Sequence, residues 1–386
     1  MLESQSSRDH RRAGPGSCES FGEGMARHCN EMHPGSRVAV DCPDALLHPA
    51  FSRRRNAPRL TGTDLVDVMR TAVVGVGYLG RFHAQKYHGL PNSDLVGIAD
   101  PSASARAAVA AELGVAAHAD YRELLGRVDA VSVVTPTPSH YAIAKEFLEA
   151  GAHVLLEKPM TTTVAEGEGL IEAARRAKRI LQIGHLERFN AAVQAVQPIL
   201  TVPRFIESAR LAPFKHRGTD VDVVLDLMIH DIDLILSIVR SAVVAVDAIG
   251  SSVFSGEIDI ANARLRFANG CVANATASRV SLKTERRLRL FQDDAYVSVD
   301  LHQKLLTVIR KTDGMSADGL PKVNIEETGY EQGDALKAEI EAFLQAAATG
   351  QPPPVTGEDG LKALRTALLI AEQVANSRAG FSVAPA

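Results

Sequence analysis

The stretch Thr71–Gly80 (TAVVGVGYLG) decides the fold of this 386-residue chain. Its first half is short, apolar and β-branched, which predicts a buried parallel strand. The glycines that follow would allow a tight turn at Gly75, close approach of a pyrophosphate at Gly77, and close packing of the next helix at Gly80. The stretch therefore predicts a dinucleotide-binding strand, turn and helix. An ordinary glycine turn is the alternative.

The residues around the glycines favour the dinucleotide. Tyr78 and Leu79 begin the predicted helix, whose free N–H groups and positive dipole end would face the phosphates. A second strand, Leu95–Ala99, is followed by Asp100, 20 residues after Gly80. A carboxylate there would bind the ribose hydroxyls and repel a 2′-phosphate, so NAD is favoured over NADP as the coenzyme. A helix N-cap is the alternative role of Asp100.

Strands and helices continue to alternate after Asp100. We predict a helix over Ala103–Leu113, a short segment over Ala116–Ala119, a helix near Tyr121–Leu125 and a strand over Ala130–Val134. Such alternation is typical of a doubly wound parallel sheet, so the predicted fold class is α/β.

Two further motifs carry a resemblance to a known family. They are Thr135-Pro136-Thr137-Pro138-Ser139-His140, and Glu157-Lys158-Pro159 directly after an apolar run. With the glycine pattern, and in this order, they resemble the Gfo/Idh/MocA oxidoreductases over about residues 71–375. The resemblance implies a Rossmann domain, then an α/β domain with an open mixed β-sheet, and a substrate site between them. It also implies a coenzyme-binding role for five residues: Thr135, Pro136, His140, Glu157 and Lys158. The peptide bond before Pro159 is often cis in the family.

A second set of polar residues lies on an apolar helix. Val223–Val239 is apolar almost all round, which predicts a buried helix, and Asp226, His230 and Asp233 share one face of it. Asp226 and His230 match an Asp-x-x-x-His pair of the family. We expect His230 to accept the hydroxyl proton during hydride transfer, and Asp226 to orient the imidazole and favour its charged form. Lys158 would hydrogen-bond the reacting oxygen or itself accept the proton, and the sequence leaves both roles open.

A narrower resemblance concerns the substrate. Ile183–Ala192 and Leu225–Asp233 are similar to the branch of UDP-N-acetylglucosamine 3-dehydrogenases, which oxidise the sugar 3-hydroxyl with NAD and supply an amino sugar of lipid A. Arg188 and Asn190 follow the sixth strand, at the edge of the sheet where ligands bind. We predict that both bind sugar hydroxyls or a diphosphate, together with the three catalytic candidates. A helix cap and a surface charge are the alternatives for Arg188 and Asn190.

Two other functions compete with this prediction. The first is an NAD-dependent dehydrogenase of a free sugar or a cyclitol such as myo-inositol, which shares the chemistry but needs no diphosphate pocket. The second is an NAD-binding regulator without catalysis. The intact Lys158, Asp226 and His230 weigh against the regulator.

The predicted domain organisation has four parts. Residues 1–66 are rich in Arg, Ser, Gly, Pro and His and contain no Lys, so we expect a disordered extension. A start codon assigned too far upstream would explain it, with Met69 near the true start. Residues 67–187 form the Rossmann domain, residues 188–355 a substrate-binding and oligomerisation domain, and residues 356–386 a C-terminal helix that returns to the Rossmann domain.

Composition is typical of a cytoplasmic enzyme. The net charge of −4 and the absence of Trp argue against a nucleic-acid partner, and no apolar stretch has the length that a bilayer requires. Three of the four cysteines (Cys18, Cys29, Cys42 and Cys271) lie in the extension, without zinc spacing or a disulfide pattern, so we expect no metal. The open sheet face must be covered, which predicts a homodimer or homotetramer.

Overall fold

The computed structural model describes residues 68–214, 221–330 and 333–380, and the predicted extension over residues 1–66 lies outside them. The first sheet has six strands: β1 (Met69–Val74), β2 (Ser93–Ala99), β3 (Ala116–His118), β4 (Ala130–Val133), β5 (His153–Glu157) and β6 (Leu181–Gly184). All neighbouring pairs are parallel, in the order β3-β2-β1-β4-β5-β6. This is the doubly wound Rossmann order, as predicted.

Helices cover both faces of this sheet. They are α1 (Tyr78–Gly89), α2 (Ala103–Leu113), α3 (His140–Glu149) and α4 (Val164–Ala177), with 3₁₀ turns at Tyr121–Leu124 and Thr137–Ser139. Strand β4 is buried at every position, because a central parallel strand has helices on both sides. Helix α4 begins at a capping box in which Thr163 and Glu166 satisfy each other's backbone N–H groups.

The second sheet has eight strands. They are β7 (Phe205–Leu211), β8 (Val243–Ser251), β9 (Ile260–Phe267), β10 (Val272–Ser278), β11 (Glu285–Phe291), β12 (Ala295–Asp300), β13 (Leu305–Met315) and β14 (Pro321–Gly329). Their order is β14-β13-β12-β11-β7-β10-β9-β8, and only the β7–β10 pair within it is parallel. Hairpin turns at Asn269-Gly270 and Asp293-Asp294 join β9 to β10 and β11 to β12. The predicted α/β class with an open mixed second sheet is confirmed.

Four α-helices follow the first sheet in the described part of the chain, and the first three differ in the domain to which they belong. Helix α5 (Ala191–Val196) and helix α6 (Ile229–Val239) belong to the second domain, and α6 is preceded by a π-helical turn over Val224–Met228. The predicted boundaries assign helix α7 (Ala335–Thr349) to the second domain, but the helix packs into the core of the first. Its Leu336, Ile340 and Phe343 form one apolar stripe, and that stripe contacts the same core as α1.

The last helix, α8 (Gly357–Gly380), contacts both domains. Near its start, Thr356 bridges to Gln182 of β6, and Arg365 donates to Glu168 of α4 at 2.9 Å. Its later apolar residues (Ala363, Ala367, Ile370 and Val374) belong to the core under the second sheet. The helix thus returns to the Rossmann domain as the resemblance implied, and it also covers one face of the second sheet.

Candidate active site

A cavity of about 880 Å³ opens at the carboxyl edge of the first sheet. Ten of the eleven residues predicted to bind the coenzyme border it: Gly75, Gly77, Tyr78, Leu79, Gly80, Asp100, Thr135, Pro136, Glu157 and Lys158. They come from the turns after β1, β2, β4 and β5, which a parallel sheet brings to one edge.

The glycine turn has the shape that a bound pyrophosphate requires. Gly75 has a φ of +85°, which favours glycine, and a Cβ at position 80 would collide with the carbonyl oxygen of Gly75. A Cβ at position 77 would meet no atom within 4 Å, so the backbone is bare on that side. Helix α1 has no side-chain cap and no acidic residue in its first turn. Its free N–H groups therefore fit a dinucleotide phosphate.

Asp100 fixes the glycine turn as well as bordering the cavity. Its Oδ2 accepts from the Val76 N–H at 2.9 Å, and its Oδ1 accepts from the Ser102 N–H at 2.8 Å. The N-cap of α2 is Ser102 and not Asp100, because the Ser102 side chain accepts from the Ala105 N–H. The alternative role that the sequence left open for Asp100 is therefore wrong.

His140 does not border the cavity, which corrects its predicted place among the coenzyme contacts. The ring is 1% exposed, with Nε2 at 2.7 Å from the Thr135 carbonyl oxygen and Nδ1 at 2.9 Å from that of Pro159. It thus joins the turn after β4 to the turn after β5, where the Lys158–Pro159 peptide bond is cis. His140 therefore holds these two turns together without contacting the cavity itself.

Lys158 reaches from the first sheet to the second domain. Its Nζ donates to the backbone carbonyl oxygen of Asp226 at 2.7 Å and lies 3.5 Å from Asp226 Oδ1. Its backbone N–H donates to Glu157 Oε2 at 3.2 Å. Burial alone would raise the pKa of Glu157, but His83 and Lys158 beside it hold that pKa below its ordinary value. The Glu157 carboxylate is thus a negative charge next to Lys158.

His230 lies one residue into α6, and its electrostatic neighbours include Lys158. Burial lowers its pKa well below the ordinary value, and the charges of Lys158 and Arg210 lower it further. Among the described residues its Nδ1 has no hydrogen-bond partner. The expectation that Asp226 orients this imidazole and favours its charged form is therefore wrong. The carboxylate of Asp226 is directed to Lys158, and the imidazole is neutral.

Sequence reasoning missed His185 as a neighbour of this site. It follows β6 directly, it is 1% exposed, and its Nδ1 has no partner among the described residues. Burial lowers its pKa, which also responds to the charges of Asp233 and Lys158. Its place immediately after a strand of the parallel sheet was the available signal.

Arg188 and Asn190 are not free to bind a substrate as predicted. The Arg188 guanidinium is paired with both oxygens of the buried Asp233, at 2.6 and 2.7 Å. Asn190 is buried, caps α5 by accepting from the Ala192 N–H, and donates to the Leu301 carbonyl oxygen at 3.0 Å. The helix-cap alternative is correct for Asn190. Arg188 is an internal ion pair and not a surface charge.

The parallel sheet, the bare glycine turn and the cavity beside Lys158 define a dinucleotide-binding oxidoreductase. Residues 69–185 match the family described as "Oxidoreductase family, NAD-binding Rossmann fold", and residues 175–298 match "GFO/IDH/MocA C-terminal domain". The chain belongs to the Gfo/Idh/MocA family of NAD-binding oxidoreductases. The predicted family, enzyme class and coenzyme are thereby confirmed.

Individual relatives narrow the comparison. The chain is 44% identical over 303 residues to UDP-N-acetylglucosamine 3-dehydrogenase of Acidithiobacillus ferrooxidans, covering 78% of this chain and 96% of the relative. A solved structure of that enzyme superposes with a TM-score of 0.76 at 43% identity, covering 79% of this chain and 97% of the other. Myo-inositol 2-dehydrogenase of Thermotoga maritima is 28% identical over 315 residues, 77% of this chain and 93% of that protein.

No helix among the described residues is long and apolar enough to span a membrane.

Proposed function

We propose that this chain oxidises the 3-hydroxyl of UDP-N-acetylglucosamine to a ketone with NAD, and that the product supplies amino-sugar synthesis. The likeness to the Acidithiobacillus dehydrogenase supports this substrate, because it extends over 96% of that enzyme. The observation that carries the chemistry is the contact of Lys158 with Asp226. It brings an ammonium group from the first sheet to the helix that carries His230.

His230 accepts the hydroxyl proton in this proposal. An imidazole with a lowered pKa is neutral near pH 7, as a general base must be. Because Nδ1 is buried, the proton moves to Nε2. Bound NAD supplies the carbon centre that receives the hydride.

Lys158 holds the reacting oxygen. Its Nζ carries three donor hydrogens, and the carbonyl oxygen and carboxylate of Asp226 take up two directions at 2.7 and 3.5 Å. The third hydrogen is left for the substrate oxygen, on which negative charge develops as the proton departs. Asp226 is then a positioning residue for the lysine.

The test compares substrates and variants in one assay of NAD reduction. UDP-N-acetylglucosamine should be oxidised, and glucose and myo-inositol should not. His230→Ala and Lys158→Ala should bind NAD as the wild type does and lose about 10²-fold or more of the hydride-transfer rate. Lys145→Ala, a change of a partly exposed lysine on α3, is the matched control and should retain full activity. Undiminished turnover in either site variant would contradict its role.

A free cyclitol is the second candidate substrate, because myo-inositol 2-dehydrogenase is similar over 77% of this chain. The reaction would use the same three side chains. Reduction of NAD with myo-inositol alone, and none with the nucleotide sugar, would establish this candidate in place of the first.

We also propose that the chain forms a homodimer or homotetramer through the second sheet. Apolar side chains on its outermost strands (Ile249, Val323 and Ile325) are each more than half exposed. A second copy that covers this face would bury them. Light scattering on the purified chain tests the proposal, and a monomer at micromolar concentration would refute it.

A further inference from the structure

Three chain segments meet where the central strands of the second sheet end, beside the helical segment that carries Asp226. Strands β7 and β10 run in parallel and end there, at Leu211 and Ser278. The loop after β10 is bonded to the loop between β8 and β9, since the Arg279 N–H donates to the Asp259 carbonyl oxygen at 2.9 Å. The segment before the π-helical turn lies at the same end of the strands, since the Val223 N–H donates to the Ile258 carbonyl oxygen at 3.0 Å.

These loops expose a set of apolar side chains that we call the apolar rim: Val221, Val253, Phe254 and Leu282. Their exposed fractions are 39%, 52%, 66% and 99%. Phe254 makes an edge-to-face contact with Phe214, with ring centroids 5.4 Å apart and an interplanar angle of 82°. Exposed apolar side chains on neighbouring loops are typical of a binding surface.

The backbone under Phe254 is held in one conformation. The buried carboxylate of Asp259 accepts from the N–H groups of Val253, Phe254 and Ser255 at 2.7 to 2.9 Å, and from the Ser255 hydroxyl at 2.6 Å. Burial opposes the charge, but these hydrogen bonds hold the pKa of Asp259 well below its ordinary value. Phe254 is therefore an exposed ring on a fixed support, which costs little entropy when a ligand binds.

The rim is also tied to the catalytic residues. Buried Arg279 lies 3.8 Å from Asp259 and donates to the carbonyl oxygen of Val221. Val221 lies five residues before Asp226, whose carbonyl oxygen accepts from Lys158. Five residues span at most about 18 Å of extended chain. An elongated ligand bound at Lys158 can thus reach the Val221 end of the rim.

We propose that the apolar rim is the nucleobase subsite, where Phe254 stacks on the planar base of the nucleotide sugar. This rests on the proposed function and extends it. The sugar end lies at Lys158 and His230, and the base lies beyond the start of the helix. The Phe254 ring matches one base in size, and the rim adds three aliphatic side chains from loops that are hydrogen-bonded to one another. A stable protein interface needs about 20 to 30 residues on each side.

The chain contains no Trp, so the fluorescence of a single Trp introduced at the rim reports on that position alone. In Phe254→Trp, UDP alone should quench the fluorescence with a saturating dependence on UDP concentration. Tyr296→Trp is the matched control, because Tyr296 packs on Phe291 in β11, away from the rim. It should show no saturable quenching. Absence of quenching in Phe254→Trp, or equal quenching in both variants, would overturn the proposal.

Steady-state kinetics give a second readout. In Phe254→Ala the KM for UDP-N-acetylglucosamine should rise about tenfold, because base–aromatic stacking is lost. The KM for NAD should not change, kcat should fall far less than the KM rises, and Phe254→Tyr should restore the KM. An unchanged KM with an altered oligomeric state would show that the rim is a subunit contact and overturn the proposal. The UDP titration needs no turnover, so a wild-type chain inactive on the nucleotide sugar would refute the proposed function alone.

Discussion

The Nζ atom of Lys158 donates to the backbone carbonyl oxygen of Asp226 at 2.7 Å, across 68 residues of sequence. Lys158 directly follows β5 of the first sheet, and Asp226 lies in the π-helical turn before α6. The contact therefore joins the two domains beside the coenzyme cavity, which Lys158 borders. It also places a positive charge next to the imidazole that we propose as the base.

The first prediction concerns the pH dependence of this imidazole. The lowered pKa of His230 places its protonation below the range of an ordinary histidine. A base must be unprotonated, so kcat/KM should stay constant through neutral pH and fall only at lower pH. In Lys158→Met the neighbouring cation is lost, so His230 should take up its proton at higher pH than in the wild type. NMR titration of labelled imidazoles measures the shift without any need for turnover.

Lys178→Met serves as the matched control, because that lysine caps α4 at a distance from the imidazole. It should leave the titration of His230 unchanged. A His230 titration in Lys158→Met that coincides with the wild type would mean that Lys158 does not contribute to the lowered pKa.

The second prediction concerns the choice of coenzyme. The Asp100 carboxylate borders the cavity at the end of β2, where it would meet the adenosine ribose. Asp100→Asn keeps one acceptor oxygen for the Val76 N–H of the turn, gives up the bond from the Ser102 N–H, and removes the negative charge that repels a 2′-phosphate. The ratio of kcat/KM for NAD over that for NADP should fall about tenfold or more. Asp120→Asn, at another carboxylate that borders the cavity, is the comparison and should change the ratio less.

The third prediction concerns the ion pair between Asp233 and Arg188, the residue that the sequence predicted to bind the substrate. Asp233 is 1% exposed, and its charge is balanced by the two donors of Arg188. Asp233→Ala should lower the free energy of unfolding by about 3–5 kcal/mol, because it leaves a largely buried guanidinium unpaired. The double variant Asp233→Leu with Arg188→Met should recover much of that loss. Urea unfolding measures both. A double variant less stable than Asp233→Ala would show that the ion pair contributes more than it costs.

The sequence was sufficient for features that depend on local pattern. Short β-branched runs such as Ala130–Val133 predict buried strands because only a parallel sheet buries such runs on both faces. The glycine turn is equally local, because the demands on Gly75 and Gly80 come from the adjoining strand and helix. The ten coenzyme-binding residues that border the cavity were predictable for the same reason, because a parallel sheet brings the carboxyl ends of its strands together.

Contacts between side chains that lie far apart in the sequence could not be predicted. Arg188 looked available because nothing local occupies it, yet its partner lies 45 residues further on. The Asp-x-x-x-His spacing of Asp226 and His230 suggested a pair, but the lysine that Asp226 contacts belongs to the other domain. Spacing along a helix defines a shared face, and it does not define which side chain from elsewhere fills the space in front of that face.

The fourth prediction concerns a buried acid on α7. Glu339 is 0% exposed, and neither carboxyl oxygen has a partner among the described residues. Burial raises its pKa well above the ordinary value, and the negative charge of Glu157 raises it further. The folded chain therefore keeps this proton at pH values where the unfolded chain has released it. The stability that this proton contributes is complete below the unfolded pKa and is lost as pH rises towards the folded pKa.

Glu339→Gln removes this pH dependence while keeping the shape of the side chain. Its free energy of unfolding, relative to the wild type, should therefore increase from pH 5 to pH 8, by at most about 1.4 kcal/mol per pH unit. Urea unfolding at several pH values gives the difference directly. Glu341→Gln, at an exposed position of the same helix, is the control and should follow the wild type across this range. Parallel curves for Glu339→Gln and the wild type would mean that Glu339 is ionised in the folded chain, with its charge balanced by a neighbour.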